Sequence, residues 1–161
     1  MTGCVPLSVE DVPALLALER SCFGGEAFSD TQLRQLLSAR YGVAIGIWED
    51  SLLLGAALLE VLVPESELHS LAVLPGKRRQ GLGAVLLKSA LSAARSRGAT
   101  EMFLEVRRSN QAAIALYGRA GFVSLSVRRG YYSHPREDAL VMQKRLARPS
   151  PGPIGAEVTA P

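Results

Sequence analysis

Apolar positions along the chain fall into segments of helical and of strand period. Residues from about 4 to 9 read as a short strand. Ser8-Val9-Glu10-Asp11 then offers a cap ahead of Val12, Leu15, Leu16 and Glu19 at helical spacing, with Pro13 tolerated in a first turn. Ser29-Asp30-Thr31-Gln32 has the Ser-x-x-Gln form of a capping box, and Leu33, Leu36 and Leu37 follow it on one helical face. This second helix is predicted to end near Tyr41-Gly42. Val43 to Trp48 and Leu52 to Val63 are apolar runs around a polar turn, Glu49-Asp50-Ser51, and predict two strands. Glu67 to Leu74 predicts another, closed by Pro75-Gly76.

The most patterned segment comes next. Leu82, Val85, Leu86, Ser89, Ala90 and Ala93 share one face of a long amphipathic helix, and Arg97-Gly98 supplies its stop. Met102 to Val106 predicts a strand, Asn110 to Arg119 a helix ended by Gly121, Phe122 to Val127 a strand and Ala139 to Leu146 the last strand. Alternation of strands and helices in the centre implies an α/β sheet with at least one parallel pair. After Arg148, repeated Pro and Gly deny both helix and ladder hydrogen bonds. The expected organisation is one domain over 1–147 and a disordered Pro/Gly-rich tail over 148–161, with no internal repeat.

Composition narrows the classes. The chain has 161 residues, 48% hydrophobic and 20% charged, enough for one core and too polar for a span of eighteen or so apolar residues. No membrane association is expected, and the first residues lack the pattern of a secretory leader, so the cytoplasm is the expected setting. Cys4 and Cys22 lack the paired spacing of a zinc site, so free thiols and no metal are expected. The net charge of +3 falls short of the basic stripe of a nucleic-acid binder, and no specific nucleic acid is expected. Arg107-Arg108 and Arg128-Arg129 read as solvated loop or strand-edge residues, whereas Lys77-Arg78-Arg79 adjoins a glycine loop and is a candidate phosphate contact.

That loop, Arg79-Gln80-Gly81-Leu82-Gly83-Ala84, opens the long amphipathic helix. The first amides of a helix have no intrahelical partners and the helix dipole adds about half a positive charge there, so an anion is favoured. Gly81 and Gly83 remove side chains where a diphosphate would approach, while Leu82 anchors the helix. The Gly-Lys-Ser/Thr ending of a nucleotide P-loop is absent, as is the third glycine with a later acidic residue that a dinucleotide fold requires.

Arg78-x-x-Gly81-x-Gly83-Ala84 after Leu71-Ala72-Val73, then Leu104-Glu105-Val106-Arg107, Asn110, Ala115-Leu116-Tyr117 and Gly121-Phe122, resembles the GNAT acetyltransferase superfamily from the first helix to about Leu146. Within it, Glu105-Val106-Arg107-x-Ser109-Asn110-x-x-Ala113-Ile114-x-Leu116-Tyr117, with Arg128-Arg129-Gly130-Tyr131-Tyr132 and Glu137-Asp138-Ala139-Leu140, resembles the ribosomal-protein-alanine acetyltransferases of the RimI type. The resemblance implies a mixed α/β GNAT fold, a mostly antiparallel sheet with one splayed parallel pair, here Leu68 to Leu74 and Met102 to Val106. It implies acetyl-CoA as co-substrate in that gap. Backbone groups of Leu71, Ala72 and Val73 would meet it, Arg79, Gln80, Gly81, Leu82, Gly83 and Ala84 would wrap its pyrophosphate, and Asn110 would add a polar contact.

Thioester aminolysis needs a neutral amine and a proton for the departing thiolate. Glu105 stands in the otherwise apolar run Met102 to Val106, where a carboxylate is either a solvent-facing strand residue or a functional one. The resemblance implies a general base, acting directly or through water. Tyr117, compatible with core packing on a helix, is implied as the general acid. Tyr131 and Tyr132 are implied in the loop joining the last strands, against the acceptor. The implied acceptor is a protein N-terminus, the N-terminal alanine of ribosomal small-subunit protein eighteen. Other N-termini, lysines, small amines, or a non-catalytic acyl-CoA-binding role are the alternatives.

Overall fold

The computed structural model describes residues 3–133 and 135–147, so the Pro/Gly-rich segment 148–161 lies outside the described residues. Strands β1 Val5–Pro6, β2 Gly42–Glu49, β3 Leu52–Leu62, β4 Glu65–Val73, β5 Glu101–Arg107, β6 Val123–Ser133 and β7 Arg136–Arg145 form one sheet in the order β1-β2-β3-β4-β5-β7-β6. Every neighbouring pair is antiparallel except β4 and β5, which run parallel. Helices α1 Val12–Phe23 and α2 Asp30–Ser38 cover one face, and α3 Leu82–Ser96 and α4 Gln111–Arg119 cover the other.

The mixed α/β sheet with one parallel pair is the architecture that the sequence implied. β3 is central and buried on both sides, because its neighbours alternate between the two helical layers. Leu58 packs with Leu15, Leu18 and Leu33 of α1 and α2, while Leu59 packs with Leu86, Leu87 and Ala90 of α3. Full burial of one such leucine contributes about 1.5–3 kcal/mol. The Ser29 capping box forms in both directions, Ser29 Oγ accepting from Gln32 N at 3.1 Å and Ser29 N donating to Gln32 Oε1 at 2.9 Å. Among the described residues no helix is long and apolar enough to cross a membrane.

Three local expectations differ from the fold. The strand expected over residues 4 to 9 is only Val5–Pro6, because Ser8 already begins a capped turn in which its N–H donates to Asp11 Oδ2 at 2.8 Å. α2 ends at Ser38, before Tyr41-Gly42, since Ala39 turns extended (ψ 140°) to bring Gly42 against the helix. β6 runs on to Ser133 and β7 starts at Arg136, so Tyr131 and Tyr132 stand on a strand and not in a loop. Arg128 pairs with Ala139 and Tyr132 with Glu137, so four steps along β6 span two along β7. Gly130 takes up the excess at φ 60°, and its N–H donates to Asp138 Oδ1 at 2.9 Å.

The feature that positions the cleft is a similar slip in β4. Leu59 pairs with Leu68 but Leu58 pairs with Ser70, leaving His69 as an extra residue. Leu68 therefore faces the α3/α4 layer while Ser70 and Ala72 face the α1/α2 layer. Up to that point β4 and β5 are paired, from Glu65↔Glu101 to Leu68↔Leu104. Beyond it β4 follows β3 and β5 follows β7, and the two strands diverge.

An ideal Cβ at Gly42 would lie 1.9 Å from the Leu36 carbonyl oxygen, a backbone atom that no rotamer change can move. Gly42→Ala is expected to lower stability by about 1–3 kcal/mol, read as a lower urea midpoint at unchanged m-value. An unchanged midpoint would show that α2 is free to withdraw from β2.

Candidate active site

The divergence of β4 and β5 opens a cleft of about 540 Å³ through the sheet. Glu19, Phe23, Glu26 and Phe28 line it from the α1/α2 side, Glu67 to Leu71 from β4, Glu105 to Arg107 from β5, Asn110, Ala113 and Tyr117 from the α4 side, and Tyr131 and Tyr132 from β6. Six residues singled out from the sequence thus meet here: Leu71, Glu105, Asn110, Tyr117, Tyr131 and Tyr132. Ala72, Val73 and Arg79 to Ala84 do not line this cleft.

Ladder geometry divides the β4 candidates. Leu74 N donates to Leu54 O at 2.9 Å, so the backbone groups of the alternate residue Ala72 are directed to β3 as well, and its side chain is buried. Leu71 and Val73 direct theirs toward the open gap. There the Val73 carbonyl accepts from Cys22 Sγ at 3.3 Å and from Arg78 Nε at 3.0 Å.

The glycine loop opens α3 as expected, with Arg79 at φ 62° and Gly81 at φ 81°, both left-handed. The first helical bond runs from Val85 N to Gly81 O at 3.1 Å, so the amides of Leu82, Gly83 and Ala84 precede the intrahelical ladder. The two glycines serve different ends. Gly81 is required by its backbone, with nothing within 4 Å of its would-be Cβ, whereas a Cβ on Gly83 would lie 3.3 Å from Leu116 Cδ2 of α4. In the basic cluster, Lys77 pairs with Glu49 at 3.3 Å and Arg78 is held by Val73, leaving the exposed Arg79 on the loop itself.

Glu105 and Tyr117 enter the cleft from opposite faces of the sheet. Met102, Leu104 and Val106 are buried in the α3/α4 core, so Glu105, by strand alternation, projects to the other face. Its Oε2 accepts from Arg128 Nη1 at 2.5 Å, and its side chain is only 16% exposed. Tyr117 is buried from the α4 side, edge-on to Phe122 with centroids 5.7 Å apart. Burial, and then the neighbouring Tyr132, push its phenol well above the ordinary tyrosine range. A phenol so placed keeps its proton at neutral pH and is available as a donor. Tyr132 is itself pushed up to about 12, by burial first and then by Tyr131 and Glu105.

Other cleft residues were not singled out as functional. Glu19 is buried, accepting from Ser70 Oγ at 2.5 Å and from Phe28 N at 3.4 Å, and burial raises its carboxyl above the ordinary range. The signal was a carboxylate within the apolar stripe of α1. His69, the extra residue of β4, contacts Glu60 through Nε2 and has Nδ1 3.7 Å from Glu67. Arg107, expected to be solvated, binds Glu26, pairs with Glu137 at 3.1 Å and lies 4.4 Å over the Tyr132 ring. Arg128, also expected to be solvated, lies 4.4 Å over the Tyr131 ring while it holds Glu105. Cys4 and Cys22 are free thiols. Among the described residues no group of three or more His, Cys, Asp or Glu side chains is placed to hold a metal ion.

Residues 12–122 match the model of the Acetyltransferase (GNAT) family. The [ribosomal protein bS18]-alanine N-acetyltransferase of Escherichia coli K12 is 33% identical over 142 residues, covering 84% of this chain and 92% of that protein. The crystal structure of the ribosomal-protein-S18-alanine N-acetyltransferase from Escherichia coli superposes with a TM-score of 0.85 at 30% identity, covering 95% of this chain and 99% of the other. The PaiA N-acetyltransferase of Thermoplasma acidophilum, solved in complex with coenzyme A, shares the fold with a TM-score of 0.74 at 21% identity, over 90% of this chain and 99% of the other.

Because the fold favours protonated Glu19, the native protein binds more protons than the unfolded chain between the ordinary glutamate range and the raised value. The stabilisation is complete below that window and is lost as pH rises through it. Glu19→Gln, neutral throughout, is expected to flatten this part of the stability profile in urea titrations from mildly acidic to neutral pH. An unchanged slope would assign the pH dependence to other groups.

Proposed function

The chain belongs to the GNAT acetyltransferase family and is an acetyl-CoA-dependent N-acetyltransferase, and we propose that its acceptor is a protein N-terminus, the N-terminal alanine of ribosomal protein bS18, with Glu105 as base and Tyr117 as acid. The observation that carries this reading is the placement of the Glu105 and Tyr117 side chains on opposite sides of one gap between diverging parallel strands. The likeness to the Escherichia coli enzyme over most of both chains supports the acceptor. The cytoplasm, where ribosomes are made, is the setting that we assign.

The residues present fit acetyl-CoA. The β4 edge beyond Leu68 has no β5 partner, so Leu71 and the N–H of Val73 offer an extended segment to a strand-like amide chain. Gly81 and the first amides of α3 offer a dipole end with Arg79 beside it, suited to a diphosphate. Asn110 caps α4, accepting from Ala113 N at 3.1 Å, and is held at the cleft wall. The co-substrate supplies an acetyl thioester.

Glu105, on the α1/α2 side, takes a proton from the acceptor ammonium, directly or through water. The neutral amine attacks the thioester carbon, and the carbon–sulfur bond breaks as Tyr117 gives its proton to the departing sulfur from the α4 side. The second proton, lost from the new amide nitrogen, returns to Tyr117 through water while Glu105 releases its own to solvent. An α-amine is easier to present neutral than a lysine, by about 3.5 kcal/mol at pH 7, so a single carboxylate suffices as base. Glu137 and Asp138, the acidic pair that a polyamine acceptor would want, are engaged by Arg107 and the Ser109 amide and by the Gly130 amide and Arg108.

Mass spectrometry after incubation with acetyl-CoA and an alanine-led bS18 peptide is expected to place one acetyl group on the α-amine and none on the same peptide with a blocked N-terminus. Modification confined to internal lysines would sink the acceptor assignment. Glu105→Gln and Tyr117→Phe are each expected to lower kcat by about 10²–10⁴-fold with the fold retained, judged by steady-state rates and circular dichroism. Undiminished turnover in either variant would remove that residue from its role.

A further inference from the structure

The Arg128 side chain has no part in the steps above, yet its Nη1 donates to the proposed base at 2.5 Å. The two partners differ in kind. Glu105 is fixed on an interior strand with 16% of its side chain exposed, whereas Arg128 is 56% exposed on the edge strand β6. Arg128 is also the last residue paired before the β6/β7 register breaks, which frees the backbone next to it from a regular ladder.

A second cavity of about 350 Å³ adjoins the first. Arg128 lines it, and Glu67 and Glu105 line both. The guanidinium therefore stands at the partition, with one carboxylate bonded to it and a second close enough to act on its charge. Two carboxylates facing one space repel each other unless a cation lies near them. In the free protein that cation is Arg128. An incoming α-ammonium must reach the same Glu105 oxygens to surrender its proton, and both cations cannot occupy them.

We propose that Arg128 is a displaceable counter-ion, a positioning residue that holds Glu105 oriented in the free enzyme and yields it to the ammonium group of the acceptor. This rests on the reading of Glu105 as base. Displacement is accessible because the guanidinium itself stands largely in solvent, where water and salt compete for it. The guanidinium also has a second resting place, because it already lies 4.4 Å over the Tyr131 ring and can keep that contact while turning into solvent. Withdrawal of the side chain joins the two cavities past Glu105 and lengthens the path open to an acceptor chain. The device selects for acceptors that arrive as cations, because a neutral group gains nothing by competing with Arg128.

The test uses the full chain and an alanine-led peptide with a free N-terminus. Arg128→Met removes the competitor, and KM for the peptide is expected to fall by up to about fivefold. Arg128→Lys, which restores a cation, should return KM toward the parent value. On a Glu105→Gln background, calorimetric titration of the peptide should show no tightening on adding Arg128→Met, because nothing remains to compete for. A rise in KM for Arg128→Met, or equal tightening with and without Glu105, overturns the proposal. If Arg128→Met lowers the melting temperature, Arg128→Gln carries the same expectations. Turnover of Glu105→Gln alone reports on the base: if it is undiminished, that reading fails, whereas a crippled Glu105→Gln with an unmoved KM for Arg128→Met is a failure of the counter-ion alone.

Discussion

One extra residue in β4 sets the geometry on which everything else depends. A strand has side-chain period two, so inserting His69 between Leu68 and Ser70 exchanges the faces of all that follows. The same slip ends the β4/β5 ladder at Leu68↔Leu104 and leaves backbone polar groups of both strands facing a gap. Interior sheet groups seek partners. β5 meets the requirement on its far side through β7, from Glu105↔Val141 to Arg107↔Ala139, while on the gap side β4 has no strand partner beyond Leu68 and its Val73 carbonyl turns to Cys22 and Arg78. The cleft, and with it the proposed site for an extended, amide-bearing molecule, is thus a direct consequence of a register defect.

The walls of that gap are held by polar contacts of unequal strength. Glu19 reaches from α1 to Ser70 just past the slip and to the amide of Phe28 ahead of α2, tying the α1/α2 connection to the sheet. Its carboxyl is buried, so losing either partner would leave an unsatisfied group in the interior, and this tie is firm. Arg107 bridges Glu26 and Glu137 from two sides of the cleft mouth, with exposure sufficient for water to compete. Together these contacts give a wall rigid near the transfer point and adjustable toward solvent, suited to gripping one end of a chain whose remainder stays outside.

Much of this was legible in the sequence because it is local. The α3 stripe from Leu82 to Ala93 and the Ser29 capping box are each specified by residues within a few positions, and the structure carries both. The slip at His69 was not legible. Leu68, Ser70 and Ala72 read as the same i, i+2 face whether or not a residue has been squeezed in, and only the β3 pairing reveals the exchange. The length of β6 was hidden for a related reason: Arg128-Arg129-Gly130-Tyr131-Tyr132 shows no alternation, since the ladder there spends two extra residues. Long-range ion pairs escaped as well, because Arg107 and Glu26, or Arg128 and Glu105, are far apart in the chain and look like ordinary surface charge.

The proposed division between base and acid follows from the same defect. On a closed sheet, a carboxylate on one face and a phenol on the other would be walled apart by the backbone ladder, and no substrate atom could meet both. Alternation along β5 sends Glu105 to the α1/α2 face because Leu104 and Val106 are claimed by the α3/α4 core. Tyr117 comes from that core, with its ring packed on Phe122 and its proton retained by burial. Only where β4 has drawn away from β5 can one group accept a proton on one side of the sheet while the other donates a proton on the opposite side. The separation also keeps the two from neutralising each other: the phenol lies in an apolar layer where it has no reason to ionise, and the carboxylate lies where a cation, Arg128 or an ammonium, can always reach it. On the proposed reading, environment alone separates the acid from the base before any substrate arrives.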